Sequence, residues 1–181
     1  MIVKTTDIED VLILEPTVHG DRRGYFMESF SERDFAAQTG LDVRFVQDNE
    51  SFSGRGVLRG LHFQRAPHAQ AKLVRVVKGR VLDVAVDIRP QSPTFGRYVA
   101  VELSGDSHRQ LFIPKGFAHG YLALEDSVFQ YKCDDYYHPE CEGGIAWNDP
   151  QIGIDWGALE SEITLSERDK HHPKLSELCE F

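Results

Sequence analysis

Only three cysteines occur in the 181 residues, and none stands in a Cys-x-x-Cys pair. An odd number without paired spacing excludes a disulfide framework and a zinc knuckle, so Cys133, Cys141 and Cys179 read as reduced thiols. No apolar run approaches the roughly 20 residues that span a bilayer, which excludes a membrane helix. Residues 1–10 have neither the basic start nor the long apolar centre of a secretory signal, and the expected location is the cytoplasm. Positive charge is short too. With 20 Lys and Arg against 29 Asp and Glu, the net charge of -9 excludes general nucleic-acid binding. Fixed-period repeats and low-complexity stretches are missing, and the apolar fraction of 41% is ordinary, so residues 1–181 are expected to form one domain with its own core.

What the chain does have is extended structure. Runs rich in Val, Ile, Leu and aromatic residues, separated by turn residues, recur at 11–14, 25–30, 43–47, 57–63, 73–77, 80–88, 98–103, 110–113, 118–124 and 128–133. Leu82, Val84, Val86 and Ile88 alternate with Asp83, Ala85 and Asp87, the period of a strand. Residues 18–24 read as a turn, and Lys78-Gly79 between two Val-rich runs predicts a tight hairpin. One helix is expected over 32–39, with Ser31 as its N-cap and Gly40 as its stop. Beyond Trp147 the chain turns polar and predicts a covering segment. The fold class is therefore all-β, a sandwich or jelly-roll barrel with one short N-terminal helix and a mostly irregular or short-helical C-terminal segment.

Cations are scarce overall and concentrated locally. Arg55, Arg59, Arg65, Lys72, Arg75, Lys78 and Arg80 follow one another with no acid between them, a positive field suited to a small anionic ligand. Inside this segment, Gly56-Val-Leu-Arg-Gly-Leu-His-Phe-Gln64 sets Arg59 and His62 on one strand. Imidazole exchanges protons near neutral pH, and nearby cations hold the negative charge left when a substrate loses a proton. His62 is accordingly read as a general base. Tyr131 is a candidate acid and Asp169 a candidate orienting carboxylate, although spacing alone does not bring them to His62. An aromatic residue on a strand ordinarily packs, and a polar run such as that around Asp169 is ordinarily solvated.

Gly56 six places before His62, and Pro114-Lys-Gly-Phe-Ala-His119, resemble the two motifs of the cupin family, which implies the jelly roll. The cupin pattern has a second His where this chain has Gln64, and the Glu that should follow is replaced by Pro67, His68 and Ala69. A metal on His62, His68 and His119 would lack an anionic ligand and face Arg59 and Lys72. Neither a metal nor a cofactor is expected.

A longer resemblance rests on Asp21-Arg-Arg-Gly-Tyr-Phe-Met-Glu28, Gln47-Asp-Asn49, Pro67-His-Ala-Gln-Ala-Lys-Leu-Val-Arg75, Asp83-Val-Ala-Val-Asp-Ile-Arg89, Ser92-Pro-Thr-Phe-Gly96, Tyr131-Lys132, Trp147-Asn-Asp-Pro150 and Ser166 to Asp169, together with the two cupin-like segments. On these residues the chain resembles the dTDP-4-dehydrorhamnose 3,5-epimerase family. The resemblance implies a metal-free homodimer that inverts C3 and C5 of a dTDP-4-keto-6-deoxy sugar in dTDP-L-rhamnose biosynthesis. It implies that His62 is the base, Asp169 its carboxylate, Tyr131 the opposing acid and Lys72 the holder of the enolate oxygen, with His119 close by. It further implies phosphate and nucleotide contacts from Arg23 and Arg59, nucleotide contacts from Glu28, Gln47 and Asn49, and peripheral ones from Glu142 and Arg168. Relative to that pattern, Arg168 stands where Lys is more frequent, Asp134 replaces a Thr and Gly143 an Arg. Competing readings are an epimerase of C3 or C5 only on a related dTDP-4-keto-6-deoxy sugar, a metal-dependent cupin enzyme and a non-catalytic sugar-nucleotide-binding protein.

Overall fold

The computed structural model describes residues 1–158 and 160–178. In chain order it runs β1 (Ile2–Thr5), β2 (Leu12–Glu15), β3 (Val18–Asp21), β4 (Gly24–Met27), α1 (Glu32–Thr39), β5 (Gln47–Ser53), β6 (Leu58–Gln64) and β7 (Lys72–Lys78). There follow β8 (Arg80–Asp87), β9 (Tyr98–Ser104), β10 (Gln110–Ile113), β11 (Phe117–Ala123), β12 (Ser127–Cys133) and β13 (Glu142–Gly144), then a tail with short 3-10 turns at Glu160–Glu162, Asp169–His171 and Leu175–Glu177. One sheet has the order β1-β2-β10-β7-β12-β5 and a second the order β13-β6-β11-β8-β9, while β3 and β4 form a separate hairpin. The expected all-β jelly roll with one helix and an irregular C-terminal cover is the fold observed.

Alternation along the strands makes both sheets apolar on both faces. Val74, Val76 and Phe129 of the six-stranded sheet meet Val81, Ala85 and Tyr121 of the five-stranded one in the layer between them. The outward residues of β6, β8 and β11, among them Leu61, Phe63, Val84, Val86 and Leu122, pack under Ile152, Trp156 and Leu175 of the C-terminal segment. On the far face of the other sheet, Leu14, Leu73 and Phe112 are covered by Phe35 of α1. Each buried side chain of this size contributes about 1.5–3 kcal/mol, so the helix and the tail belong to the core. Ser31 caps α1 by accepting from the Asp34 backbone N–H, and Gly40 ends it in a left-handed conformation with φ 71°. No helix among the described residues is long and apolar enough to cross a membrane.

Several local expectations are corrected. The hairpin expected at Lys78-Gly79 is a corner between sheets: β7 pairs with β10 and β12, whereas β8 pairs with β11 and β9. Gly79 makes this corner possible, because its φ is 83° and any Cβ there would collide with the Asp126 carbonyl oxygen. The strand expected at 43–47 instead begins at Gln47. Val43 and Phe45 serve packing, with Phe45 edge-on to Phe35 at 5.7 Å. Residues 18–24, read as a turn, hold β3 and the start of β4. The short strands β1 and β13 carried too little alternation to be noticed. Cys133 and Cys141 are free thiols, while Cys179 lies outside the described residues.

Candidate active site

The alternation that sends Leu61 and Phe63 outward turns His62 to the inner face of β6. There it is the register partner of His119 on β11. Lys72 begins β7 opposite Cys133, and Tyr131 lies two residues back along β12, which puts Lys72 and Tyr131 on one face of the other sheet. The Lys72 ammonium is 5.9 Å from the Tyr131 ring. A cavity of about 500 Å³ opens between these walls, lined by Arg59, His62, Lys72, His119, Tyr131, Arg168 and Asp169 among others. A neighbouring hollow of about 220 Å³ shares His62, Lys72 and Tyr131 and adds Gln47, Asn49 and Glu142.

Asp169 reaches this cavity from the C-terminal cover. Its Oδ1 lies 2.6 Å from His62 Nε2, although 107 residues separate the two, and its backbone N–H is fixed by Ser166 Oγ. The same oxygen is 3.3 Å from Nε2 of His172. Burial alone would raise the Asp169 carboxyl, but hydrogen bonds from His172 and His62 outweigh it and hold the group well below the ordinary carboxylate range. His172 packs edge-on to His62 at 5.5 Å between ring centroids, in space left by Gly144, where a side chain would strike its ring. His119 is held from below by the fully buried Asp83, with Nε2 to Oδ2 at 2.9 Å.

Burial pushes the Tyr131 phenol up to about 12, so it carries its proton throughout the neutral range. Burial also lowers the Lys72 ammonium, and the carboxylates of Asp83 and Glu142 oppose the shift. Arg59 is aimed by Ser53 Oγ at 2.9 Å and the Phe52 carbonyl at 3.0 Å, and it retains an exposed guanidinium. Glu142 accepts from Tyr137 at 2.6 Å and pairs with Arg168 at 2.8 Å. Gln47 donates to Asn49 at 3.1 Å along β5.

The structure brings together His62, Lys72, Tyr131, Asp169, Arg59, His119, Arg168, Gln47, Asn49 and Glu142 around the two connected hollows. Arg23 and Glu28 are elsewhere in the single chain. Arg23 pairs with Asp21 in the exposed β3-β4 hairpin and lines a hollow of that hairpin, and Glu28 lines another beside α1. The trio His62, His68 and His119 is not assembled either, because His68 is bound to Asp135 and stacked on His138. Sequence reasoning missed His172, whose place in a polar run offered no signal. It also passed over Asp83, where a carboxylate in a strand buried on both faces does announce a partner.

A family model described as dTDP-4-dehydrorhamnose 3,5-epimerase matches residues 5–177. The chain belongs to the dTDP-4-dehydrorhamnose 3,5-epimerase family. It is similar to a dTDP-4-dehydrorhamnose 3,5-epimerase of Escherichia coli, 57% identical over 179 residues that cover 98% of this chain and 96% of the relative. A Methanothermobacter thermautotrophicus relative of the same name is 53% identical over 174 residues, 95% of this chain and 93% of the other. Among solved structures, the Legionella pneumophila dTDP-6-deoxy-D-glucose-3,5-epimerase in complex with dTDP-4-keto-L-rhamnose is 50% identical, with a TM-score of 0.94 over 97% of this chain and 93% of that one.

Gly143, Asp134 and Arg168, the positions at which the resemblance implied departures, each have specific local contacts. At Gly143 a side chain would run into the Phe63 ring, at 2.5 Å from a Cβ, so the aromatic packing on β6 occupies the room an Arg would need. Asp134 accepts from the Ala71 backbone N–H at 2.7 Å and pairs with Lys115 at 3.0 Å, which fastens the start of β7 next to Lys72. Arg168 meets Glu142 through its guanidinium while bordering the main cavity.

Proposed function

We infer that this chain converts dTDP-4-dehydro-6-deoxy-D-glucose to dTDP-4-dehydro-L-rhamnose by inverting C3 and C5, a step of dTDP-L-rhamnose biosynthesis. The observation that carries the mechanism is the origin of the two proton-transfer groups. His62 comes from the five-stranded sheet and Tyr131 from the six-stranded one, so a sugar ring between the sheets meets a base on one face and an acid on the other. Hydrogens at C3 and C5 both neighbour the C4 carbonyl and leave as protons when the enolate oxygen is stabilised. A base acting alone returns the proton to the face it left, and inversion needs a donor opposite.

In this reading His62 donates one ring N–H to Asp169 and accepts the substrate proton at its other nitrogen. Asp169 stays ionised and supports the imidazolium that forms. Lys72, helped by His119, holds the enolate oxygen, an interaction worth about 3 kcal/mol at comparable oxyanion sites. Tyr131 delivers its proton to the opposite face. Arg59 takes the diphosphate, Gln47 and Asn49 contact the nucleotide, and Glu142 and Arg168 border it. NMR of dTDP-4-keto-6-deoxy-glucose in heavy water is the direct test. Deuterium enters at both C3 and C5 without added metal; entry at one carbon identifies a mono-epimerase, and no entry at either rejects the enzyme reading.

The working unit in this proposal is a homodimer. The β3-β4 hairpin pairs with neither sheet and exposes Tyr25 and Phe26, the latter 71% accessible. Covering such an apolar hairpin is favourable, and in a second copy it provides a route by which Arg23 and Glu28 reach a nucleotide. Light scattering is expected to return twice the mass of the chain, and a monomer at micromolar concentration would remove those two residues from the site.

A further inference from the structure

Outside the cavity, one cluster of metal-ligating side chains among the described residues is left without a task. His68, Asp135 and His138 bring their donor atoms within 4.8 Å of one another on two loops, one following β6 and the other following β12. His68 Nδ1 lies 3.0 Å from Asp135 Oδ2, His138 Nδ1 lies 3.0 Å from Glu140 Oε1, and the two imidazoles stack with centroids 3.4 Å apart and planes 11° from parallel. Four donors of a tetrahedral zinc site, with bonds of about 2.0–2.2 Å, are separated by roughly 3.4 Å. The His68–Asp135 pair already has this spacing, and the third donor of the group lies within 4.8 Å of both.

A single buried amide positions both histidines. Gln64 donates to the His68 carbonyl at 2.7 Å and to the Tyr136 carbonyl at 3.1 Å, while its Oε1 accepts from the His138 backbone N–H at 2.7 Å. Gln70 ties the Asp135 carbonyl to the first loop at 2.8 Å. The loops are thus fixed relative to each other, and the half-buried donors remain open to solvent for entry and for a completing water.

We propose that His68, His138 and Asp135, with Glu140 or water as fourth ligand, form a surface site for a zinc-class divalent transition ion. Two neutral imidazoles and one or two carboxylates suit Zn²⁺, whereas an all-oxygen set would suit Mg²⁺ or Ca²⁺. Because the lone pairs of the stacked rings lie in nearly parallel planes, the two imidazoles turn out of their stack to share one ion, each binding it through an unprotonated nitrogen and keeping its proton on the other. Tyr137 and Glu142, carried by the same loop region, border the smaller hollow, so the ion also clamps the rim of the cleft.

The test is calorimetric titration of the tag-free, chelator-stripped chain with zinc chloride, repeated with cobalt chloride for the visible absorption of a low-symmetry site. One ion per chain is expected. His68→Gln and His138→Gln each weaken binding at least tenfold and lose the cobalt band, while their zinc-free circular dichroism and melting match the parent. His172→Ala, which breaks the other cluster of His and Asp around His62, leaves zinc affinity unchanged. No binding by the parent, parental affinity in the His68→Gln/His138→Gln double variant, or loss of binding in His172→Ala would each overturn the proposal.

Discussion

Replacing His62 with asparagine lowers kcat and the rate of deuterium entry at both sugar carbons together by about 10²–10⁴-fold, with KM changed little. Asparagine can still donate to Asp169 and occupies less than the space of the imidazole, but it has no basic nitrogen to receive a carbon-bound proton. Exchange at the parent rate at either carbon would show that a different group removes that proton. The pH profile separates His62 from its carboxylate. Asp169 has a folded value below its unfolded one, so its contribution to stability is complete above about pH 4 and is lost as pH falls through the lowered value. An acid limb of activity between pH 4 and neutrality therefore reports a group other than Asp169.

The Tyr131→Phe variant divides the reaction. Proton removal by His62 and enolate stabilisation by Lys72 remain, so deuterium still enters from the base's face, while inverted product forms at least about 10²-fold more slowly because the opposite face has lost its donor. Tracking label and configuration in the same NMR sample measures both quantities. Equal rates of inversion in variant and parent would take Tyr131 out of the mechanism. Because burial holds the phenol at about 12, the parent shows no loss of activity from Tyr131 ionisation anywhere near neutral pH. An alkaline limb belongs more naturally to Lys72, whose ammonium is destabilised by burial and whose charge disappears as pH rises through its lowered value. Lys72→Arg, which cannot deprotonate in this range, would then lose that limb along with some geometric fit.

Much of the architecture was written in local chemistry. The spacing of Val, Leu and Ile produced the strands of both sheets, and Ser31 with Gly40 bounded the helix at its observed ends, because caps and alternation act over a few residues. The stretch around Gly56 to Lys72 likewise placed Arg59, His62 and Lys72 near one another. Where local patterns misled, a distant partner was responsible. Val43 and Phe45 look like strand residues but serve the aromatic cluster around Phe35, and Lys78-Gly79 looks like a hairpin but crosses between sheets.

By itself, then, the sequence determined most of the element types, the faces of the strands and the candidate side chains. Tertiary structure alone decided which sheet each strand joined, and so that His62 and Tyr131 face each other across a cavity. It alone brought Asp169 from a polar tail to within 2.6 Å of His62, added His172 as a second partner of the same oxygen, and left Arg23 on a hairpin and Glu28 beside α1, both outside the cleft. The physical reason is one of range: backbone preference and side-chain alternation are set by neighbours in the chain, whereas these approaches depend on apolar faces burying one another across more than a hundred residues.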